Sequence, residues 1–353
     1  AFLIPYFLFV ALFSYAGLSA EFALGRLTGT GTSGSFDYIL KRRGLRGGSI
    51  IGIMPLAGVL GIAIGYSVVV GWVLRYCAGA ITGSVLQGDA QAYFDTLAVD
   101  FGSVPWHIIA VALTALILIL GVEGGIEKIS KFMLPTFFVL FVIIAIRVFF
   151  LPGSAGGYAY LLKPDWSYLA NPKTWIYAMG QAFFTLSLGI GAMAIFGSYI
   201  GKERTLLSES VNITLLDTFV ALMAGLIIFP ACFSFGVNPG QGPGLVFVTL
   251  PNIFGGMAGG RVWGALFFVF MSFAALSTVI AVSENIVAFG MDLWGWSRKK
   301  AVLVNFFAIL VLSLPCVLGY NVLSGFMPFG EGSAVLDLED FLVSNTILPL
   351  GSL

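Results

Sequence analysis

Charged side chains are scarce in this sequence. Asp, Glu, Lys and Arg make up 10% of its 353 residues, where soluble domains carry about a quarter. That scarcity excludes an ordinary soluble fold. The 17 basic and 17 acidic residues cancel, which excludes a general nucleic-acid binder. Cysteine is rare as well: Cys77, Cys232 and Cys316 stand far apart in apolar runs, with no CxxC pair or metal-ligand spacing. They read as small packed apolar residues. The single histidine, His107, lies beside Trp106 at the end of an apolar run and is expected to be an interfacial anchor rather than a proton relay or metal ligand. No HExxH, GxSxG elbow or His/Asp cluster is visible, which leaves a membrane enzyme without machinery. The Gly189–Ala194 match to a dinucleotide fingerprint lacks a preceding strand. The phosphate-loop likeness at Gly197–Lys202 has Phe196 where glycine is needed and Glu203 where Ser or Thr is needed. No nucleotide-driven pump is indicated.

Apolar residues fill the space that charge leaves. They form 59% of the chain, and Phe alone occurs 33 times. A spanning helix needs about 20 mainly apolar residues. Such runs predict an all-α polytopic membrane protein, a single transmembrane domain over 1–353, with spans at about 1–24, 52–76, 104–122, 133–151, 175–200, 215–235, 262–289, 301–320 and 340–353. The segments around Ser84–Ser103 and Pro152–Lys173 read as loops. The short run 244–255, broken by Pro251, reads as an outer lid hairpin. Twelve of the 17 basic residues, from Arg26 to Lys300, fall in the connections after the first, third, fifth and seventh spans, which are therefore expected to be cytoplasmic. The first run starts without Met or a basic n-region and the last stops about half-way. The expectation is an internal piece of a longer transporter-like chain, not a signal peptide.

Polar groups inside the apolar runs carry the functional signal, because each is costly in hydrocarbon. Glu21, Asp217 and Glu284 are the acids in or at the edge of spans. Around Gln181-Ala-Phe-Phe-Thr-Leu-Ser-Leu-Gly-Ile-Gly191, hydroxyls at Thr185 and Ser187 precede two glycines in mid-span. Each glycine costs a helix about 1 kcal/mol, so a helix broken near 186–190 is expected, and such breaks hold ions and substrates in secondary transporters. A kinked packing helix shares that composition. Ala274, Ser277 and Thr278 lie on one helical face, where two hydroxyls and a carbonyl freed by a local irregularity suit a small cation; hydroxyls bonded back to a carbonyl are the plainer alternative. Tyr66 follows Ala57, Gly61 and Gly65, a small-residue face for close helix packing.

These strings occur together, and the chain resembles the neurotransmitter:sodium symporter family, in its bacterial amino-acid-transporting branch. Ala1-Phe-Leu-Ile-Pro-Tyr6 and Glu21–Arg26 are similar to that family's second helix, Gly65–Trp72 to its third, and Gly124–Lys131 to the start of its fifth. Gln181–Gly191 resembles the sixth-helix signature and Asp337–Phe341 the start of the tenth. The resemblance implies a 5+5 inverted-repeat fold, with the second to tenth helices present and the first missing. It implies sodium-coupled symport of a neutral, hydrophobic amino acid by alternating access across a bacterial cytoplasmic membrane. Its partners would be a small-molecule amino acid and the lipid bilayer, with no nucleic acid and the oligomeric state open. Carried over by position, Tyr66 would bind the substrate carboxylate, and carbonyls of Phe184, Thr185 and Ser187 the amine. Ile62, Leu188, Ile190, Thr278 and Val282 would surround the side chain. Thr185 and Asp217 would serve sodium site one, and Ala274, Ser277 and Thr278 sodium site two, each incomplete without the first helix. Residues 1–353 alone are then expected not to transport. Asp340 and Gln181 would belong to the outer gate. No chloride is expected, because Asp217 and Ala221 stand where chloride-dependent members carry Asn and Ser. Without sodium, an unpaired Asp217 would favour proton uptake. A proton-coupled permease of the same fold stays open as the alternative, on Asp217 and Glu284; a channel or scaffold fits less well.

Overall fold

The computed structural model describes residues 1–86, 88–236, 244–347 and 350. Every regular element among them is helical. Six helices are long and apolar enough to cross a membrane, or seven if the pair Ala90–Ala98 and Ser103–Ile119, bent by 69°, is one span. The helices that position the site are α1 (Leu3–Thr28), α2 (Ile53–Thr82), α3 (Ser103–Ile119) and α4 (Gly124–Phe149). They continue as α5 (Pro172–Thr185), α6 (Ala192–Tyr199), α7 (Leu206–Ser234), α8 (Gly260–Trp294), α9 (Arg298–Leu318) and α10 (Val335–Leu342).

Local chemistry sets many of these limits. At the start of α5, Asn171 caps by accepting from the Lys173 N–H at 3.0 Å, and Pro172 occupies the first turn, where its missing N–H costs nothing. Gly29, with φ +65°, closes α1 in the left-handed conformation. The helices α4 and α7 begin before the apolar stretches expected at 133–151 and 215–235. Their first turns are polar, carrying Lys128 and Lys131 in one and Glu209 in the other, so hydropathy alone misses them.

Three expectations about the connections need correction. The stretches around 84–103 and 152–173 are not plain loops: they hold the helices Ala90–Ala98 and Ser154–Leu162, and Asp89 caps the first by accepting from the Gln91 N–H. The run 244–255 is not a hairpin but one short apolar helix, Leu245–Gly256. Pro251 falls where its π-helical turn, Leu245–Thr249, passes into its α-helical part, Leu250–Gly256. The third correction concerns His107, which is 3% exposed and lies inside the bundle. Of the span expected at 340–353, residues 348–349 and 351–353 lie outside the described residues.

Helices α2 and α8 run along each other at the centre. Tyr76 of α2 and Phe268 of α8 are buried there with their rings 5.3 Å apart. Helix α1 packs on both halves of the interrupted segment. Phe13 stacks on Phe183 of α5 at 4.4 Å, and Gly25 lies so close to α6 that a Cβ would overlap the Ala194 carbonyl oxygen. Outward faces carry exposed apolar side chains such as Leu116, Val139, Phe149 and Leu215. Such a belt fits a lipid solvent and would aggregate in water.

Candidate functional site

The chain leaves helical geometry between α5 and α6. Ser187 has φ +52°, Gly189 +83° and Gly191 +73°, so three of five consecutive residues occupy the left-handed region. For glycine this is free, but for Ser187 it is a strained conformation of the kind that concentrates at functional sites. The interruption is held from outside. Glu21 of α1 accepts the Gly189 N–H at 2.9 Å through Oε1, and the Met193 backbone N–H also lies against its carboxylate. Thr32 donates to the Gly191 carbonyl at 3.0 Å. Backbone groups freed inside a membrane need such partners.

Several residues expected to act together are brought together. The Thr185 hydroxyl donates to Asp217 Oδ2 of α7 at 2.8 Å. Tyr6 of α1 lies beside both. The Tyr66 phenol on α2 lies against the Thr278 hydroxyl on α8. Ile62, Ile190 and Val282 share one apolar cluster. Phe184, at the last turn of α5, is 50% exposed. Together these residues offer a phenol, hydroxyls and a carboxylate, with branched aliphatic carbon in the cluster of Ile62, Ile190 and Val282. Hard oxygens suit a small cation or an ammonium, and the apolar wall suits an uncharged side chain.

Other placements differ from the expectation. Leu188 does not join Ile62, Ile190 and Val282. It packs with Tyr6, Val10 and Leu18 over Gly17 of α1. Ser187 and Gly189 turn the chain out of helical geometry, so residues two apart no longer keep helical facing there. Helix α8 is continuous through 274–278, without the expected irregularity. The Ala274 carbonyl accepts from Ser277 at 2.8 Å and from Thr278 at 3.1 Å, the common resting state of hydroxyls on membrane helices. Asp340 and Gln181 are exposed, with Asp340 accepting from Ser344 at 2.9 Å.

Near the ends that carry most basic residues, a second polar group closes the bundle. Arg298 makes a two-pronged pair with Glu284, at 3.0 and 2.6 Å, while Tyr199 of α6 donates to Glu284 Oε1 at 3.1 Å. Arg298 also donates to the Leu118 carbonyl of α3 at 2.7 Å. Glu284 is fully buried, and its charge is compensated. That geometry reads as a tie between helices. Sequence reasoning missed this pair and the role of Glu21. Its only available signal was that a mid-membrane carboxylate requires donors; which donors it finds is a matter of folding.

Known proteins resemble the chain across this whole region. The sequence model described as the sodium:neurotransmitter symporter family matches residues 94–338. The uncharacterized sodium-dependent transporter YhdH of Bacillus subtilis is 35% identical over 358 residues, covering 100% of this chain and 78% of that protein. An uncharacterized sodium-dependent transporter of Haemophilus influenzae is 33% identical, covering 86% and 68%. The crystal structure of MhsT in complex with L-phenylalanine superposes with a TM-score of 0.90 at 36% identity, over 100% of this chain and 80% of that one.

Proposed function

Because the chain belongs to the sodium:neurotransmitter symporter family, it is a sodium-dependent multi-pass membrane transporter and not an enzyme, and we propose that it carries a neutral, apolar L-amino acid by alternating access. The observation that carries this reading is the helix interrupted between Thr185 and Ala192, with Thr185 bonded to Asp217 beside it. Backbone carbonyls of Phe184, Thr185 and Ser187 hold the substrate amine, and the Tyr66 phenol donates to its carboxylate. Ile62, Ile190 and Val282 contain the side chain. They offer no charge, so an ionic side chain would be desolvated without compensation. The phenylalanine bound to MhsT supports a pocket that reaches aromatic size.

Two sodium ions accompany the substrate in this proposal. One lies at Thr185 and Asp217, the other at the Ala274 carbonyl with the Ser277 and Thr278 hydroxyls, which would turn from the carbonyl to the ion. Further ligands would come from beyond these residues. Asp217 supplies the negative charge near the first ion, and Ala221 offers no hydroxyl to an anion, so transport proceeds without chloride. Asp340 and Gln181 form part of the outer closure, together with the helix Leu245–Gly256. The membrane is the bacterial cytoplasmic one.

Uptake by the full-length protein in proteoliposomes under an imposed sodium gradient tests the reading. Sodium-dependent uptake of leucine, valine or phenylalanine is expected, with mutual competition among them. Preference for glutamate, lysine or a taurine-like solute would overturn the assignment.

A further inference from the structure

Behind the proposed substrate wall lies a second, separate polar feature. A cavity of about 10 Å³ is enclosed by α2, α3, α8 and α9. Its polar lining is Ser67, Thr114, Ser283 and Asn305; the rest is aliphatic and aromatic carbon, including Val111, Val279 and Ile309. All four polar residues are more than nine-tenths buried, Ser67 and Ser283 completely. Ser283 Oγ and Asn305 Oδ1 are both buried without a protein hydrogen-bond partner. The other two hydroxyls have their protons engaged or shared. Thr114 donates to the Ala110 carbonyl at 2.9 Å, while Ser67 lies 3.1 Å from both the Ile64 carbonyl and His107 Nε2. Their lone pairs are left to accept.

Two orphaned polar atoms on two different helices, facing one small chamber, need explanation, since buried polar groups in native proteins are almost always paired. The volume matches one water molecule, which needs roughly 10–15 Å³ and two to four polar partners. We propose that this chamber is a binding site for a single structural water that joins α2, α3, α8 and α9. The water accepts from the Ser283 hydroxyl and donates to Asn305 Oδ1 and to the Ser67 or Thr114 oxygen. Every oxygen in the lining is neutral. A cation there would have no counter-charge inside the bilayer, which favours water as the occupant. The site continues into a polar line, because His107 Nε2 also lies 3.2 Å from the Ser313 hydroxyl at the break in α9. The water thus completes a tie behind Tyr66 and Val282, whose chain neighbours Ser67 and Ser283 form its walls.

The unmodified protein in nanodiscs, solved at a resolution that shows ordered waters, gives the first readout. A density peak within hydrogen-bond distance of both Ser283 Oγ and Asn305 Oδ1 is expected, unchanged between sodium and a sodium-free buffer. A double-mutant cycle on the melting midpoint gives the second, with Ser283→Ala, Asn305→Leu and their combination. Each single change should lower the midpoint, and the pair should lower it no further than the worse single change, because either one already removes the shared water. Additive losses would overturn the proposal, as would a direct Ser283–Asn305 bond with no density between them. Density that appears only with sodium would overturn it in favour of a cation. If either variant fails to fold, the density in the unmodified protein decides alone.

Discussion

At the residue scale, hydroxyls and carboxylates in the bilayer are defined by the partners they keep in each state. Ser277 and Thr278 both rest on the Ala274 carbonyl, so their proposed service to sodium requires a change of partner. Loss of one hydroxyl ligand forfeits about 0.5–1.5 kcal/mol, a roughly two- to tenfold effect on binding. Ser277→Ala and Thr278→Ala should therefore raise the half-saturating sodium concentration by that factor, with little change in substrate recognition at saturating sodium. Unchanged sodium activation curves in both variants would leave those hydroxyls a packing role only. Asp217 is tested differently. Asp217→Asn removes the fixed charge next to Thr185 and should abolish uptake in gluconate buffer. Adding Ala221→Ser should restore part of it when chloride is supplied. Wild-type uptake that collapses on replacing chloride with gluconate would contradict the assignment.

At the element scale, the interrupted segment depends on how closely α1 approaches α6. A Cβ on Gly25 would meet the Ala194 carbonyl, and one on Gly197 would meet the Phe22 backbone. Main chain, not a flexible side-chain tip, stands in the way at both. Overpacking costs about 1–3 kcal/mol when neighbours can shift, and these cannot. Gly25→Ala should thus lower the melting midpoint by several degrees and reduce transport, since α1 also carries Glu21 to the Gly189 N–H. Gly180 is the control: nothing lies within 4 Å of its Cβ position. Gly180→Ala should leave the midpoint unchanged or raise it slightly, because alanine gains roughly 1 kcal/mol over glycine in a helix. Equal effects at the two positions would show that the α1–α6 crossing is not the constraint.

At the scale of the whole molecule, the distribution of basic residues proposes a direction across the membrane. Lys202 follows the interrupted segment, and Lys163 precedes it. With single reporter cysteines, Lys163→Cys should react with an impermeant thiol reagent from outside intact cells, and Lys202→Cys only after permeabilisation. The reverse labelling pattern would invert the proposed topology. In the proposed topology, the Glu284–Arg298–Tyr199 group lies toward the cytoplasmic side. There it ties α6 to α8 and α9, linking the interrupted segment to the bundle that α2 and α8 build.

Composition and periodicity alone determined the helical class, the membrane solvent and the place of the interruption. These depend on properties local to the chain: a run of about 20 apolar residues has one stable use, and Ser187, Gly189 and Gly191 carry their conformational preferences wherever they are placed. Family resemblance placed Thr185 near Asp217 and Tyr66 near Thr278. It grouped Leu188 with Ile190, whereas Leu188 packs with Tyr6, Val10 and Leu18, because facing in a non-helical segment follows individual φ values and not spacing. What only the tertiary structure decided are the pairings between distant helices. His107 lost its apparent position at the interface because α3 lies against Gly71 of α2, leaving the imidazole between Ser67 and Ser313. Glu284 found Arg298, and Glu21 found Gly189. A buried polar group must find a partner somewhere in the bundle, but hydropathy is blind to which one, since that choice is made by helix crossings that no single segment encodes.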